Sequence, residues 1–514
     1  MGSANARVLW KTCRKLAKWS ASQTECVQLD YSSCQQTFIP FRLASQFEPM
    51  PRPSHTPRML TTLFLTLAVL CSMIEPNAKA DDWPNWMGKG YAGVWADNDI
   101  VREIPAEGLK VLWRTPVQGG YSGPSVADGR LFVMDFVSEP VEGDTGRLRS
   151  RSGTERVICL DSTTGKEIWT YEYETELKVS YPGGPRSNPT VDGDRVYIQG
   201  TMGSVLCLDA ATGEVVWQTN VAEKYETKPP VWGYASQPLV IGDLLICAAG
   251  GEDTGVVAMK KMTGEEFWTS ITAREIGYAP FVVAEIHGKE QLIVWYDVAI
   301  CGLELGTGNE LWSQKFPDTK PQRPVVSIVP PKVMGDQIFV SNFYHGSLLF
   351  QLQPDFSTKE LWSTENDRKH DEDINSIMST VVHRDGSLIG VAGNGELRGV
   401  SVKDGSLLWR NYEALATAEE DPQVIPRGDK GFPALFAIEN QERFWLFTDQ
   451  GELIISDLSA DGYKELGRTK LLETTAQSRG RAYVWCPPAC ADGKLYVRNE
   501  KELICVDMRA ASYK

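Results

Sequence analysis

Short apolar runs alternate with polar turns along this chain, and the alternation comes back in the same form again and again. Its clearest copy is Cys207-Leu-Asp209-Ala-Ala-Thr-Gly213-Glu-Val-Val-Trp217. An apolar approach, an Asp and Thr-Gly turn, and a second apolar run ending in Trp predict a β-hairpin. Written as small-x-Asp-x-x-x-Gly-x-x-x-Trp, the pattern recurs from Cys159 to Trp169, and with drift from Ala258 to Trp268, Gly302 to Trp312 and Gly399 to Trp409. The constant offset predicts that each indole packs over a site where only a small side chain fits. A second hairpin precedes each of these, with its turn at Asp128-Gly129, Asp192-Gly193, Gly242-Asp243, His287-Gly288, Gly335-Asp336, Asp385-Gly386, Asn440-Gln441 and Asp492-Gly493. Each unit is therefore predicted to have four strands, and self-similarity at this spacing means a repeat fold.

Three irregularities decide how the array ends. The fifth unit reaches Trp362 but has Thr358 in place of the turn Gly, and the seventh keeps Gly462 but has Leu466 in place of Trp. The eighth has Cys505-Val-Asp507 and then stops at Lys514, without a fourth strand. Near the other end, Gly108-Leu-Lys-Val-Leu-Trp113 reads as a fourth strand with no first half before it. Four-stranded units of this kind are blades of a β-propeller. An open array would leave two bare sheet edges, whereas closing the ring with the Trp113 strand leaves none. The expectation is an all-β, eight-bladed propeller over residues 108–514, with Trp113, Trp169, Trp217, Trp268, Trp312, Trp362 and Trp409 as the docking indoles.

Composition and charge narrow the partners. The formal charge is −15, and the first 80 residues hold 9 basic against 4 acidic side chains, so the remainder carries −20. That argues against nucleic acid and anionic membrane surfaces. Residues 50–80 combine a basic lead at Arg52 and Arg58, an apolar run from Leu60 to Ile74 and the small-x-small site Ala78-Lys-Ala80. These are the parts of a secretory signal cleaved near Ala80, and the run is shorter than the roughly 20 residues a membrane span needs. Residues 1–49 show no sustained period and read as a disordered leader or a mistaken upstream start, and 81–107 as an N-terminal extension. The expected location is periplasmic or otherwise extracytoplasmic, with no membrane span in the mature chain, and a monomer is expected. Seven cysteines follow the cleavage site. Cys159, Cys207 and Cys505 hold the small position of the motif, as compact hydrophobes. Cys486 and Cys490, if extended, would lie about 13 Å apart, beyond disulfide reach.

The motif resembles the PQQ-like repeat of the quinoprotein alcohol dehydrogenase-like propellers, over about residues 108–514. With the Asp81-Asp-Trp-Pro opening, Gly119-Gly-Tyr-Ser-Gly-Pro, Gln291-Leu-Ile-Val-Trp295 and Arg498-Asn-Glu-Lys-Glu-Leu, the chain is similar to exported PQQ-like proteins of planctomycetes. The resemblance implies either a binding or assembly platform or a PQQ-dependent alcohol dehydrogenase. PQQ with Ca²⁺ is the cofactor pair the second reading implies. It would ask for carboxylate and amide ligands and a stacking floor, often with a disulfide between adjacent cysteines. The chain has no adjacent Cys pair and no Cys-x-x-Cys-His haem motif, and Asn188 and Asn375 are the amides on offer. Its four histidines after residue 80, at 287, 345, 370 and 383, lack zinc-ligand spacing, and no metal site is read from the sequence.

Turn lengths orient the ring. The turns within each hairpin are tight, while Tyr171 to Pro185, Thr219 to Trp232, Ser363 to Ile374, Asn411 to Gly431 and Ser138 to Glu155 are long. Strand alternation puts the long loops on the face where innermost strands begin, and loops carry function. Read across the units, those strand starts bring Tyr121, Arg186, Trp232, Tyr234, Tyr278, Asn375 and Trp485 to the mouth of a central funnel. The same aromatics could fill the channel or serve as a platform for a small-molecule, glycan or protein ligand. A funnel Arg must stack or meet an anion, with Glu155 and Asp371 as internal candidates.

Overall fold

The computed structural model describes residues 82–514 apart from 140–149, 182, 318–324, 365–371, 417–433 and 479–480. The signal-peptide reading, the 1–49 leader and Asp371 lie outside the described residues. Eight four-stranded antiparallel sheets form a propeller, and in seven of them the strands follow chain order from the innermost outward. Blade 1 comprises Ser125–Ala127, Arg130–Val137, Arg151–Asp161 and Glu167–Leu177, and blades 2 to 7 repeat the plan from Thr190 to Lys470. The inner hairpins turn through left-handed residues, among them Asp128 (φ 47°), His287 (φ 52°), Asp385 (φ 48°) and Asp492 (φ 53°). Hairpins this tight need positive φ because only the primed turns match strand twist.

Blade 8 is assembled from both ends of the chain. Ala489–Ala491, Lys494–Arg498 and Glu502–Asp507 are completed by Val111–Pro116 on the outside, with Trp113 opposite Cys505. Around the seam Val117 N–H donates to the Lys501 carbonyl at 3.0 Å and Asp507 N–H to that of Lys110 at 2.8 Å. Tyr513 straddles it, donating its hydroxyl proton to the Asp507 carbonyl (2.6 Å) and accepting from Lys110 N–H (2.8 Å).

The indoles join one blade to the next. Within a blade each Trp lies across from the small residue of the motif, as in Cys159↔Trp169, Cys207↔Trp217 and Ala258↔Trp268. A Cβ added at Gly399 would sit 2.5 Å from the Trp409 ring. The rings of Trp113, Trp169, Trp217, Trp268 and Trp362 also cover the turn glycine of the following blade, and their N–H groups bond there. Trp113 donates to Ser162 O (3.1 Å), Trp169 to Ala210 O (3.1 Å), Trp217 to Lys261 O (2.8 Å) and Trp268 to Leu305 O (2.8 Å). Gly213, at φ 76°, has room for no side chain, because a Cβ would lie 2.6 Å from Trp169.

The sequence irregularities correspond to breaks in this pattern. Blade 5 lacks the turn Gly, and Trp312 donates within its own blade to Gln291 Oε1 (2.5 Å), its ring against Phe350. Blade 8 has no turn between its third and fourth strands to receive an indole, and Leu466 stands where Trp would. There Ile104 of the N-terminal extension packs on Gly467.

That extension crosses the ends of the innermost strands. Trp83 exchanges two backbone bonds with Val126 of blade 1 (2.8 Å each), and Val191 N–H of blade 2 donates to Pro84 O (2.8 Å). Trp95 N–H then reaches the Glu439 carbonyl of blade 7 (2.8 Å), and Gly493 N–H of blade 8 donates to Asp97 (2.6 Å). Trp83, Trp86, Met87 and Trp95 are buried in one core with blades 1, 7 and 8. The contacts at the 128–129, 441–442 and 492–493 turns put this segment at the tight-turn end of the channel, opposite the long loops.

Three long loops differ from the sequence expectation. Much of 151–155 and 171–177 is strand, because Thr154 donates to Glu174 (2.9 Å) and Tyr173 to Glu155 (2.5 Å) across the ladder. The link after blade 2 opens with a helical turn, Val221–Lys224, capped by the Asn220 side chain.

One prediction arises at the seam. The buried Asp507 carboxylate accepts from Arg509 Nε (2.8 Å) and Nη2 (2.7 Å) and from Ser512 Oγ (2.7 Å). Burial opposes ionisation there, but the Arg509 and Ser512 bonds outweigh it and bring the carboxyl down to about 2. A depressed folded-state value means stabilisation that is present above the ordinary carboxylate range and is lost as pH falls through about 2. Asp507→Asn is expected to cost about 1–3 kcal/mol at pH 7, with the gap to wild type closing towards pH 2 in urea titrations.

Candidate functional site

Just before each innermost strand, on the long-loop face, neighbouring blades are laced together around the axis. Tyr121 and Ser122 N–H donate to Pro185 O (2.7 and 2.9 Å), and Asn188 N–H to Gln237 Oε1 (2.5 Å). Ser236 Oγ donates to Ala279 O (3.0 Å), Tyr278 and Ala279 N–H to Ser327 O (2.8 and 2.9 Å), and Ser376 N–H to Ser341 Oγ (2.8 Å). Leu435 N–H reaches Ser379 Oγ (3.1 Å), Val484 N–H reaches Asp449 O (2.7 Å) and the Cys486 thiol reaches Gly120 O (3.3 Å). These bonds hold the aromatic side chains of the strand starts in place.

The strand starts of blades 8, 1 and 2 form one cluster. A two-stranded ribbon, Ala476–Ser478 with Arg481–Tyr483, delivers Tyr483 and Trp485, whose rings stack at 3.6 Å and 18°. Tyr121 lies 5.9 Å and Tyr181 6.1 Å from Trp485, centroid to centroid. The Arg186 guanidinium sits over Tyr121, 5.0 Å from its centroid. It donates to the carbonyls of Ser180 (3.1 Å), Tyr181 and Gly184. Among the described residues no carboxylate pairs with it. Desolvation draws the Arg186 pKa down, while Tyr121 and Glu155 push it back up. Burial also raises the Tyr121 hydroxyl to about 12. Glu155 acts on Arg186 only through the field, since its carboxylate is taken by Tyr173 (2.5 Å) and by Thr201 N–H (3.2 Å). Burial raises its pKa above the usual range.

A second pair lies at the starts of blades 3 and 4. Trp232 and Tyr278 are 5.0 Å apart, Trp232 N–H donates to the Tyr278 hydroxyl at 3.3 Å, and that hydroxyl donates to Glu275 at 2.6 Å. Tyr234 and Asn375 have protein partners instead. Tyr234 is in the core between blades 2 and 3 and donates to Ala249 O (2.7 Å), and the Asn375 Oδ1 accepts from Gly393 N–H (3.3 Å). Of the seven sequence-derived positions, Tyr121, Arg186 and Trp485 meet, and Trp232 and Tyr278 make a separate pair. Tyr483 opens the blade 8 strand-start stretch that ends at Trp485, whereas Tyr181 and Glu275 were not singled out from the sequence. They lie in inter-blade links outside the repeat, so no positional equivalence pointed to them. Tyr121, Arg186, Trp232 and Trp485 keep partial exposure on this face, and the Trp485 N–H has no partner.

Among the described residues, the amides that the sequence offers for PQQ with Ca²⁺ do not come together. Asn188 and Asn375 start blades four apart on an eight-blade ring, and each side-chain oxygen is committed to backbone, Asn188 to Gly123 N–H at 2.8 Å. Among the described residues no three His, Cys, Asp or Glu side chains converge.

Repeat, blade order and indole docking together define a PQQ-like repeat β-propeller. The family described as "Outer membrane protein assembly factor BamB" matches residues 153–411, about half of the sequence, and the chain belongs to that family. It is similar to the crystal structure of BamB from Moraxella catarrhalis, at 14% identity and a TM-score of 0.50, over 78% of this chain and 97% of that one. It is also similar to the quinohemoprotein alcohol dehydrogenase from Comamonas testosteroni, at 15% identity and a TM-score of 0.53, over 83% of this chain and 80% of that one. At these identities the likeness is one of fold. No curated protein sequence matches the chain. No helix among the described residues is long and apolar enough to cross a membrane.

Proposed function

We propose that this protein is a binding platform that works outside the cytoplasm, receiving a ligand or a partner protein on its long-loop face. The observation that carries the reading is the cluster of Tyr121, Tyr181, Arg186 and Trp485, partly exposed on that face and backed by the buried Tyr483 ring. Stacked rings offer flat apolar surface, and a guanidinium held by carbonyls keeps its full charge for an incoming acceptor. A ligand with a carboxylate or carbonyl on a flat body satisfies both. The family's description as an assembly factor supports a protein partner, and the signal-like segment at 50–80 supports a place outside the cytoplasm.

The test is a thermal-shift screen of small carboxylates and peptides, repeated with Arg186→Ala and Trp232→Ala. A ligand of this face should lose about tenfold or more in affinity with Arg186→Ala, and indifference to both changes would move the site elsewhere. The dehydrogenase reading has its own check. Titration with PQQ and Ca²⁺ is expected to give no saturable absorbance change, and saturable, PQQ-dependent alcohol turnover would restore it.

A further inference from the structure

The two aromatic groups of the long-loop face are joined through the backbone. Ser180 N–H, from the loop that carries Tyr181, donates at 2.8 Å to the carbonyl of Val231, the residue before Trp232. Both groups feel the Arg186 charge: burial draws its pKa down, while Tyr121 of one group and Tyr278 of the other push it up. Tyr121, Tyr181, Arg186, Trp232 and Trp485 are each partly exposed, and Val231 is 37% exposed. In blade order Arg186 stands between Trp485 and Trp232, so the strand starts present a strip of aromatic rings with one guanidinium among them.

The hydrogen-bonding groups of this strip are one-sided. Acceptors around the rings are used inside the protein. Arg186 takes the carbonyls of Ser180, Tyr181 and Gly184, and Pro185 O accepts from Tyr121 and Ser122 N–H. Glu155 is taken by Tyr173 and Thr201, and Glu275 Oε1 by the Tyr278 hydroxyl at 2.6 Å. Donors are left over. Arg186 makes its bonds through Nη1 and Nη2, and its Nε–H has no partner among the described residues. The Trp232 backbone N–H goes to Tyr278, but its indole N–H, which is not buried, has no partner among the described residues either.

Such a strip favours a ligand with acceptors and flat apolar faces but few donors, because a donor brought here gives up water and finds those acceptors taken. A saccharide is a poor match, since each hydroxyl must donate as well as accept. An ordinary peptide brings one N–H per residue. Proline brings none: its amide only accepts, its ring is apolar, and consecutive prolines hold an extended helix without internal hydrogen bonds. Aromatic-lined grooves bind such helices, which lose little freedom on docking. We propose that this strip receives a proline-rich segment of a partner protein, its rings against Tyr181, Trp485 and Trp232 and its carbonyls on Arg186 Nε–H and the Trp232 indole N–H. The proposal rests on the reading of this face as a binding platform and names the class of partner.

The experiment is calorimetric titration of the full chain with a blocked polyproline peptide of about ten residues, ~30 Å long in that helix, beside a Gly-Ser peptide of the same length. Polyproline should bind with a constant of about 100 µM or tighter, and the Gly-Ser peptide should not bind. Trp232→Ala should weaken binding about tenfold or more, as for an interface anchor. Trp232→Phe, which keeps a ring and removes the N–H, should weaken it several-fold. Tyr181→Ala serves as the second variant if Trp232→Ala fails to fold, and should also weaken it several-fold. The proposal is overturned if polyproline does not bind, if its binding is indifferent to Trp232 and Tyr181 in folded protein, or if a β-linked oligosaccharide binds more tightly through the same residues. Failure of polyproline while a small carboxylate still depends on Arg186 would remove this proposal alone. Indifference of every ligand to both Arg186→Ala and Trp232→Ala would remove the platform reading with it.

Discussion

Trp113→Ala lowers the unfolding free energy by about 3–5 kcal/mol, the usual cost of truncating a large packed aromatic, and broadens the transition. The indole has three attachments. It lies opposite Cys505 inside blade 8, its ring contacts Tyr496 at 5.9 Å, and it covers Gly165 of blade 1 while donating to Ser162 O at 3.1 Å. Trp113 therefore joins the first and last blades, and no other docking indole spans residues so far apart in sequence. Trp362→Ala removes the same kind of contact between blades 5 and 6, where the chain itself continues. Both should lose stability in urea, but only the seam variant should let blade 8 fray, seen as faster amide exchange in Glu502–Asp507 than in the other third strands. An unchanged midpoint for Trp113→Ala would refute closure by this strand.

Removing the extension should be at least as damaging. A chain beginning at Gly108 keeps the Trp113 strand but loses Trp83, Trp86, Met87 and Trp95, all at most 8% exposed. At about 1.5–3 kcal/mol for each large apolar side chain, the loss is on the order of 5 kcal/mol or more. The backbone partners of Val126, Val191 and Glu439 go with it, and the Asn440 amide loses the Trp95 and Asp97 carbonyls, each at 2.7 Å. Expected results are a lower urea midpoint and binding of a hydrophobic dye, relative to a chain beginning at Asp81. If the shortened chain kept the midpoint and bound no dye, the extension would be an appendage and not part of the core.

The repeat was legible because its chemistry is local. Asp161, Asp209 and their equivalents accept from the turn that follows them, the turn glycines need positive φ, and apolar residues alternate with the strand period. Those preferences act within a dozen residues, so the eight units, their four strands and the missing strand of blade 8 could all be counted from the pattern. Even the exceptions at Thr358 and Leu466 marked where docking departs from the rule. The fold as a closed propeller followed from one further argument, that an edge left open exposes both backbone and apolar surface.

What the pattern could not contain was any contact between blades. Five turn glycines, Gly165, Gly213, Gly264, Gly308 and Gly405, are small because of a tryptophan from the preceding blade, and for Gly213 that neighbour, Trp169, lies about 40 residues away. The extension belongs to no repeat, so only the assembled ring shows it crossing the ends of the innermost strands. The site divides in the same way. Reading across strand starts brought Tyr121, Arg186 and Trp485 to one face, but equivalence in the repeat says nothing of side-chain direction. Tyr234 turned inward to Ala249, and Tyr483 arrived from a ribbon outside the repeat. The sequence by itself determined the blade, its count and the strand that closes the ring, because hydrogen bonding and alternation are short-range. The tertiary structure decided which aromatics meet at the mouth and where the extension crosses the ring, because those depend on distant segments packing together.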